Sequence, residues 1–405
     1  MKRAGNLFEA VVEPENLRLA FWKASRGKQH RPDQRAFAEH LEEELAVLRR
    51  GLLQGDYPVG DYTRFTVYDP KERVICAAAF RERVLHHSLM NVCEPLVDGW
   101  LIHDCYACRV GKGQAKAVRR AQTFAGRYGW FLKADIRKFF DSVPHENLKS
   151  LLRRKFKDGR LLGWFDRIIG TYETQLGRGL PIGNLTSQHF ANLYLDPLDR
   201  FAKETLRIVG YVRYMDDFVL WSAEKDELKS ARERIATFAA ERLGLELKEE
   251  PFINRTGLGM DFLGMRVFPQ TVRLNRRSKE RFAEKARRYE WLLAQGRWTE
   301  RTYQERMTAL TAFVQQADTL AWRKSFFRKP AINVGLEPEH PWRELEQQRE
   351  QLAMRQQQLE QPGQRQQQQR VPSRLPLSTI NTLEERLWSP PVSCFRKRNE
   401  ERRTA

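Results

Sequence analysis

Two adjacent carboxylates, Asp216 and Asp217, lie inside an otherwise apolar, strand-like run from Ile208 to Trp221. Side by side in a low-dielectric setting they repel, and one of them would take up a proton unless a cation compensates both. A divalent metal is the natural compensator. The stretches 210–214 and 218–221 read as two short strands joined at Met215-Asp216, which puts the acids at the tip of a hairpin. A second acidic position lies upstream, where Asp135 ends an apolar strand that includes Phe131 and Leu132. With no His or Cys nearby, hard oxygen ligands favour Mg²⁺, which takes its remaining ligands from water and substrate phosphate. Three acids from two elements suit two Mg²⁺ ions and in-line phosphoryl transfer, one ion activating an attacking hydroxyl and the other neutralising a leaving pyrophosphate, as in a polymerase. A lone Asp-Asp is common on solvated turns. The flanking aromatic and β-branched residues, and the Gly-containing loop between the two acidic sites, favour chemistry over that reading.

The elements that must carry these acids follow from the pattern. Residues 1–130 read as mostly helical, with a basic, strand-bearing segment from Tyr62 to Ala79. Residues 131–270 alternate strands with amphipathic helical stretches such as 146–169 and 225–243, an α/β (α+β) arrangement. Residues 271–329 are strongly basic and helical in period, with Trp291, Leu292 and Leu293 among the apolar positions. From 330 to 405 the chain becomes Gln/Arg-rich, a low-complexity C-terminal tail expected to be disordered or a single polar helix and to carry no chemistry.

Lys and Arg number 71 against 52 Asp and Glu, a net charge of +19, which is the electrostatic footprint of a protein that follows a phosphate backbone and whose binding weakens with salt. Charge alone would also fit a ribosomal or membrane-surface protein. The five cysteines, Cys76, Cys93, Cys105, Cys108 and Cys394, make no disulfide framework in a chain of this size. Cys105 and Cys108 have zinc-like spacing but no matching second pair, so they read as structural. Gly111-Lys112-Gly113 lacks the full phosphate-loop pattern and reads as a basic turn near template. No apolar run approaches membrane-spanning length and no signal-peptide core follows Met1, so the expected location is cytoplasmic, with no membrane partner.

The order of these motifs, over most of residues 1–330, resembles the reverse transcriptases. The stretch from Asp135 to Asp141 resembles their first catalytic motif, Gly179 to Gln188 their template and nucleotide loop, Tyr214 to Asp217 their second catalytic motif, and Asp261 to Gly264 their primer-grip turn. The resemblance implies RNA-directed DNA polymerase activity on a right-hand fold. Fingers and the start of the palm would occupy 1–130, the palm 131–270 and a helical thumb 271–329. It implies that Asp135 and Asp216 bind two Mg²⁺ ions, that Asp217 completes the acidic cluster and that the carbonyl of Ile136 adds a ligand. Phe140, five residues after Asp135, matches the family's steric gate against a ribose 2′-OH. Read as consecutive strand positions, Phe139 and Phe140 point to opposite sides, so at most one faces a nucleotide. Lys71 and Arg73 match the basic finger residues that hold the triphosphate. Arg81 and Arg83 are candidates for the same role or for the template path. Gln188 closes the nucleotide loop, and Lys248 is the candidate general acid for pyrophosphate.

Most reverse transcriptases carry a Gln just before the loop glycine and Ser-Pro at its end, whereas here Ile182 precedes Gly183 and Ser187-Gln188 closes the loop. Together with Asn6-Leu7-Phe8, the stretch from Pro14 to Phe21 and that from Ile102 to Ala107, this departure resembles the enzymes of diversity-generating retroelements. That resemblance implies error-prone copying, chiefly opposite template adenines, of a template RNA from a DNA or RNA primer with dNTPs, beside a small basic accessory protein. A retron or phage-defence reverse transcriptase is the alternative within the enzyme class, disfavoured by the loop. A non-catalytic RNA-binding module is the alternative from another class, disfavoured by the three acids. Ile182 as plain packing, Phe140 as a core aromatic and Lys248 as a solvated charge remain open.

Overall fold

A computed structural model describes residues 3–68, 72–248 and 251–328; Lys71 and the tail from 330 onward lie outside the described residues. The chain divides into two compact units, one up to Leu258 and one from Gly259. Among the described residues, no helix is long and apolar enough to cross a membrane.

The first unit opens with α1 (Phe8–Val11), α2 (Pro14–Ser25), α3 (Pro32–Glu39) and α4 (Leu41–Gln54). Proline begins α2 and α3, where its missing N–H costs nothing, and Gly55 in the left-handed region (φ 75°) ends α4. An antiparallel hairpin follows, β1 (Tyr62–Val67) with β2 (Arg73–Ala78), then the long α5 (Phe80–Trp100). The expected strand-bearing segment from Tyr62 to Ala79 is this hairpin. Rings of Phe21, Phe37 and Phe80 pack together and fasten α2, α3 and α5.

After α6 (Gln114–Arg127) comes the element that carries the first acid, β3 (Trp130–Asp135). It is followed by α7 (Phe139–Ser142), α8 (His145–Lys155), α9 (Gly159–Gly170) and α10 (Leu185–Arg200), then by β4 (Gly210–Tyr214), β5 (Asp217–Ser222), α11 (Lys225–Leu243) and β6 (Phe252–Arg255). The sheet has the order β4-β5-β3-β6 and is antiparallel throughout. Helix α6 lies against β4 and β5, while α11 packs on β3, β5 and β6. The central strands are therefore buried without alternation: Phe131 and Leu132 on β3, and Phe218, Val219, Leu220 and Trp221 on β5, are all nearly inaccessible.

Two expectations are corrected here. The helical stretch 146–169 is interrupted: α8 stops at Lys155, Phe156 turns into the core, and the Asp158 carboxylate accepts from Leu161 N to start α9. Phe139 and Phe140 sit on the short α7, after Lys138 in the left-handed region (φ 43°) has ended the strand direction.

In the second unit β7 (Met260–Phe262), β8 (Met265–Val267) and β9 (Val272–Leu274) form an antiparallel meander, with Leu263 and Gly264 at positive φ in the first turn. The helices α12 (Arg276–Ala294), α13 (Glu300–Val314) and α14 (Leu320–Arg328) follow. Asn275 and Thr299 cap α12 and α13, and Asp318 accepts from Thr271 Oγ1 and Val272 N to tie the helices to the meander. The whole is an α/β (α+β) architecture, as expected from the sequence.

Candidate active site

Strand register assembles the acids. Asp135 at the end of β3 lies directly opposite Asp217 at the start of β5, and directly opposed residues of an antiparallel pair share a face. Asp216 occupies the two-residue turn between β4 and β5 with Met215, whose φ of 55° makes the tight reversal possible. Its carbonyl accepts from Ile136 N at 3.4 Å, which stitches the hairpin tip to the end of β3. The expected hairpin and strand end are both found.

Burial and mutual repulsion then dominate the electrostatics. Oδ1 of Asp135 and Oδ1 of Asp217 are closed to solvent and lack a hydrogen-bond partner. Burial, then the charge of Asp135, push the Asp216 carboxyl up to about 7. Burial pushes Asp217 up to about 6, against the opposing pull of Lys133, whose Nζ lies 3.2 Å from Asp217 Oδ2. Among the described residues no three such side chains close into a ready-made metal cluster. Asp217 is instead partnered by Lys133. Orphaned, hard carboxylate oxygens held at the expense of protonation nonetheless fit a divalent cation, and an all-oxygen donor set fits Mg²⁺.

This arrangement has a pH consequence. Without metal, Asp216 and Asp217 hold protons to higher pH when folded than the ordinary carboxylate value of about 3.9 in the unfolded chain. Their contribution to stability is complete below pH ~4 and lost as pH rises through about 7. In EDTA, the melting temperature of the native chain should therefore fall between pH 5 and pH 8 more steeply than that of Asp216→Asn. Adding Mg²⁺ at pH 8 should recover the loss. Parallel pH slopes for the two proteins would contradict this account of the acids.

The other candidates fall into place unevenly. Lys248 N donates to Asp135 O at 2.9 Å, and its exposed side chain brings positive charge near Asp217. Ile136 is buried beside Leu247 in an isolated bridge. Phe139 is 2 % exposed, in the core, while Phe140 is half-buried, the two rings meeting edge-on at 5.4 Å. Phe140 is thus the more accessible of the two, and it sits on a helix and not on a strand.

Ile182 is half-buried, and its carbonyl accepts from Cys76 N at 2.8 Å, tying the loop to β2. Gly183 (φ 114°) passes so close that a Cβ would sit 3.0 Å from Ile75 and 3.2 Å from the Cys76 carbonyl oxygen, which explains a glycine at this position. Gln188 is half-buried in the first turns of α10. Arg73 is exposed at the start of β2, three residues and about 10 Å along the strand from Cys76. Arg81 pairs with Glu44, and Arg83 Nε donates to Ala78 O at 2.8 Å.

Lys133 is the site residue that sequence reasoning missed. Its signal was its register, two residues before Asp135 on the same face of β3. Cys105, by contrast, is a buried thiol whose Sγ donates to Asn192 Oδ1 at 3.6 Å, in keeping with a structural role. In the Gly111-Lys112-Gly113 turn, Lys112 Nζ donates to His103 O at 2.8 Å.

Comparison with known proteins gives the same direction as the geometry. Residues 69–267 match the family described as reverse transcriptase (RNA-dependent DNA polymerase). Protein YkfC of Escherichia coli (strain K12) is 25% identical over 281 residues, 58% of this chain and 73% of that protein. The group II intron-encoded protein LtrA of Lactococcus lactis subsp. cremoris is 20% identical over 295 residues, 55% of this chain and 49% of LtrA. Among solved structures, telomerase from Candida albicans in complex with a TWJ fragment of telomeric RNA aligns at a TM-score of 0.41 with 11% identity, covering 57% of this chain and 50% of that one. The chain thus spans about half the length of LtrA and of that telomerase. The matched stretch, residues 69–267, is just under half of the chain and contains the facing acids of β3 and β5, so the similarity to the reverse-transcriptase family falls on the segment that carries the acidic site.

Proposed function

We propose that the chain copies a template RNA into DNA with low fidelity, as the polymerase of a diversity-generating retroelement acting in the cytoplasm. The observation that carries the polymerase reading is the register of Asp135 against Asp217, with their orphaned oxygens and Asp216 at the adjoining turn. In this reading Asp135, Asp216 and Asp217 hold two Mg²⁺ ions, aided by the carbonyl of Ile136. When bound, Mg²⁺ supplies Lewis-acid activation of the primer hydroxyl and neutralises the leaving pyrophosphate. Lys133 offsets one carboxylate charge and keeps Asp217 oriented. Lys71 and Arg73 grip the triphosphate, Lys248 delivers a proton to the leaving group, and Phe140 excludes the 2′-OH.

Ile182 and Gln188 line the pocket of the incoming pair. Because Ile182 offers packing where a polar side chain would hold the nucleotide, selection of the correct pair is loosened. Residues 1–130 act as fingers, 131–270 as palm and 271–329 as thumb, with template RNA, a DNA or RNA primer, dNTPs and a small basic accessory protein as partners. A second reading, an intron-associated reverse transcriptase, is favoured by the similarity to LtrA.

The test is Mg²⁺-dependent dNTP incorporation on a primed RNA template, with and without a candidate accessory protein, followed by sequencing of the product. Errors should concentrate opposite template adenine, and Ile182→Gln should lower them roughly tenfold. An accurate product would remove the retroelement reading and leave the polymerase. Accurate copying joined to enhanced splicing of an intron RNA would establish the second reading.

A further inference from the structure

Behind the turn that carries Asp216 lies an ion pair with no solvent access at all. Arg213 on β4 and Asp199 on α10 are both 0 % exposed and meet in a two-pronged contact, Nε to Oδ1 at 2.6 Å and Nη2 to Oδ2 at 2.7 Å. Tyr211 donates its hydroxyl to the same Asp199 Oδ1 at 2.7 Å. The remaining donors of the guanidinium are also spent: Nη1 on Asn192 Oδ1 (3.1 Å) and on Met215 O (2.9 Å), Nη2 on Asn192 O (3.2 Å). All five N–H groups of the fork are thus satisfied. Asn192 is itself fixed, donating Nδ2 to Ala107 O at 2.8 Å.

Such a pair is an expensive way to hold a sheet on a helix. Apolar residues of similar volume often do that equally well, because desolvating two charges offsets most of their attraction. What an apolar pair cannot do is direct a hydrogen bond. One donor of the fork ends on the carbonyl of Met215, the left-handed residue immediately before Asp216. A non-glycine residue persists in that region only where its surroundings hold it there.

We infer that Arg213 is a positioning residue for the acidic turn: through the Met215 carbonyl it fixes the reversal that aims Asp216 and Asp217 at Asp135, while Asp199, Tyr211 and Asn192 fix the guanidinium. This rests on the reading of Asp216 as a metal-binding residue. An ångström of slack at a reacting centre costs on the order of a hundredfold in rate, so the clamp acts on catalysis more than on folding.

The decisive variant is the double substitution Arg213→Met with Asp199→Leu, which removes both charges together and leaves no buried charge unpaired. It is compared with Arg213→Lys, which keeps the charge and loses the fork. Two measurements are made on the full chain: thermal unfolding across a Mg²⁺ titration, and steady-state incorporation. The double variant is expected to unfold cooperatively near the native temperature. Its Mg²⁺ midpoint for stabilisation should rise about tenfold and kcat should fall by about a hundredfold, with KM for dNTP little changed. Arg213→Lys should show the same Mg²⁺ shift, and it carries the test alone if the double variant does not fold. A folded variant with native Mg²⁺ midpoint and native kcat would overturn the inference and leave the network purely structural. If the native chain itself shows neither Mg²⁺ stabilisation nor incorporation, the reading of the acids fails, and the positioning role goes with it.

Discussion

Asp216→Asn is expected to cut nucleotide incorporation on the order of a thousandfold, about 4 kcal/mol of transition-state stabilisation, while making the metal-free protein more stable at pH 8. The two effects have one cause. Asp216 sits at the β4–β5 turn, half-buried and near the charge of Asp135, and both conditions oppose its ionised form. A carboxamide of the same shape removes the repulsion and leaves the backbone contact from Ile136 N to the Asp216 carbonyl undisturbed. The same change removes an anionic oxygen, which is what a hard cation would bind. A site built only to hold the sheet together would gain stability and have no activity to lose; a site built for chemistry accepts the strain of three acids for what they bind. The measurements are single-turnover incorporation with a primed RNA and thermal unfolding in EDTA. Activity within tenfold of native, or a lower melting temperature at pH 8, would sink the assignment of Asp216.

How much of this was legible in the chain depends on the range of the forces involved. The hairpin around Met215 could be read because apolar strand-forming residues flank the acids on both sides, and the end of β3 at Asp135 could be read for the same reason. The break between α8 and α9 was signalled by Asp158-Gly159, a capping pair that the longer amphipathic period masked. Phe139 and Phe140 looked like strand residues, since consecutive aromatics suit a strand. The left-handed turn at Lys138 is a local backbone choice that residue type does not announce.

The partners of Arg81 and Arg83 could not be read from the chain, since Glu44, which pairs with Arg81, lies 37 residues away on another helix and Arg83 donates to the Ala78 carbonyl. The Asp199 clamp on Arg213 was out of reach for a related reason. The pair joins a helix to a strand 14 residues on, and only the packing of α10 behind the sheet brings them together. Lys133 was within reach, because its period-two register with Asp135 places both on one face. A lone lysine in an apolar strand nevertheless reads most simply as a snorkelling charge.

Phe140→Ala is expected to raise kcat/KM for ribonucleotides between ten- and a hundredfold, roughly, while leaving deoxynucleotides within a fewfold of native. The two consecutive aromatics of α7 have separate environments. Phe139 fills the core beneath β3, and truncating it should cost about 3–5 kcal/mol of stability without altering sugar selection. Phe140 is its neighbour on α7, half-buried, with its main chain pinned where Leu180 N donates to the Phe140 carbonyl at 2.7 Å. That bond anchors the backbone independently of the ring, so alanine removes the ring and keeps its platform. Exclusion by a ring is repulsive discrimination: deleting it admits the larger sugar and takes little from the smaller one. Competition between dNTP and rNTP on one primed RNA template, read for Phe140→Ala beside Phe139→Ala, separates the two roles. If Phe140→Ala keeps native selectivity, the ring is packing, and the residue that excludes the 2′-OH has to be sought elsewhere along the loop from Gly179 to Gln188.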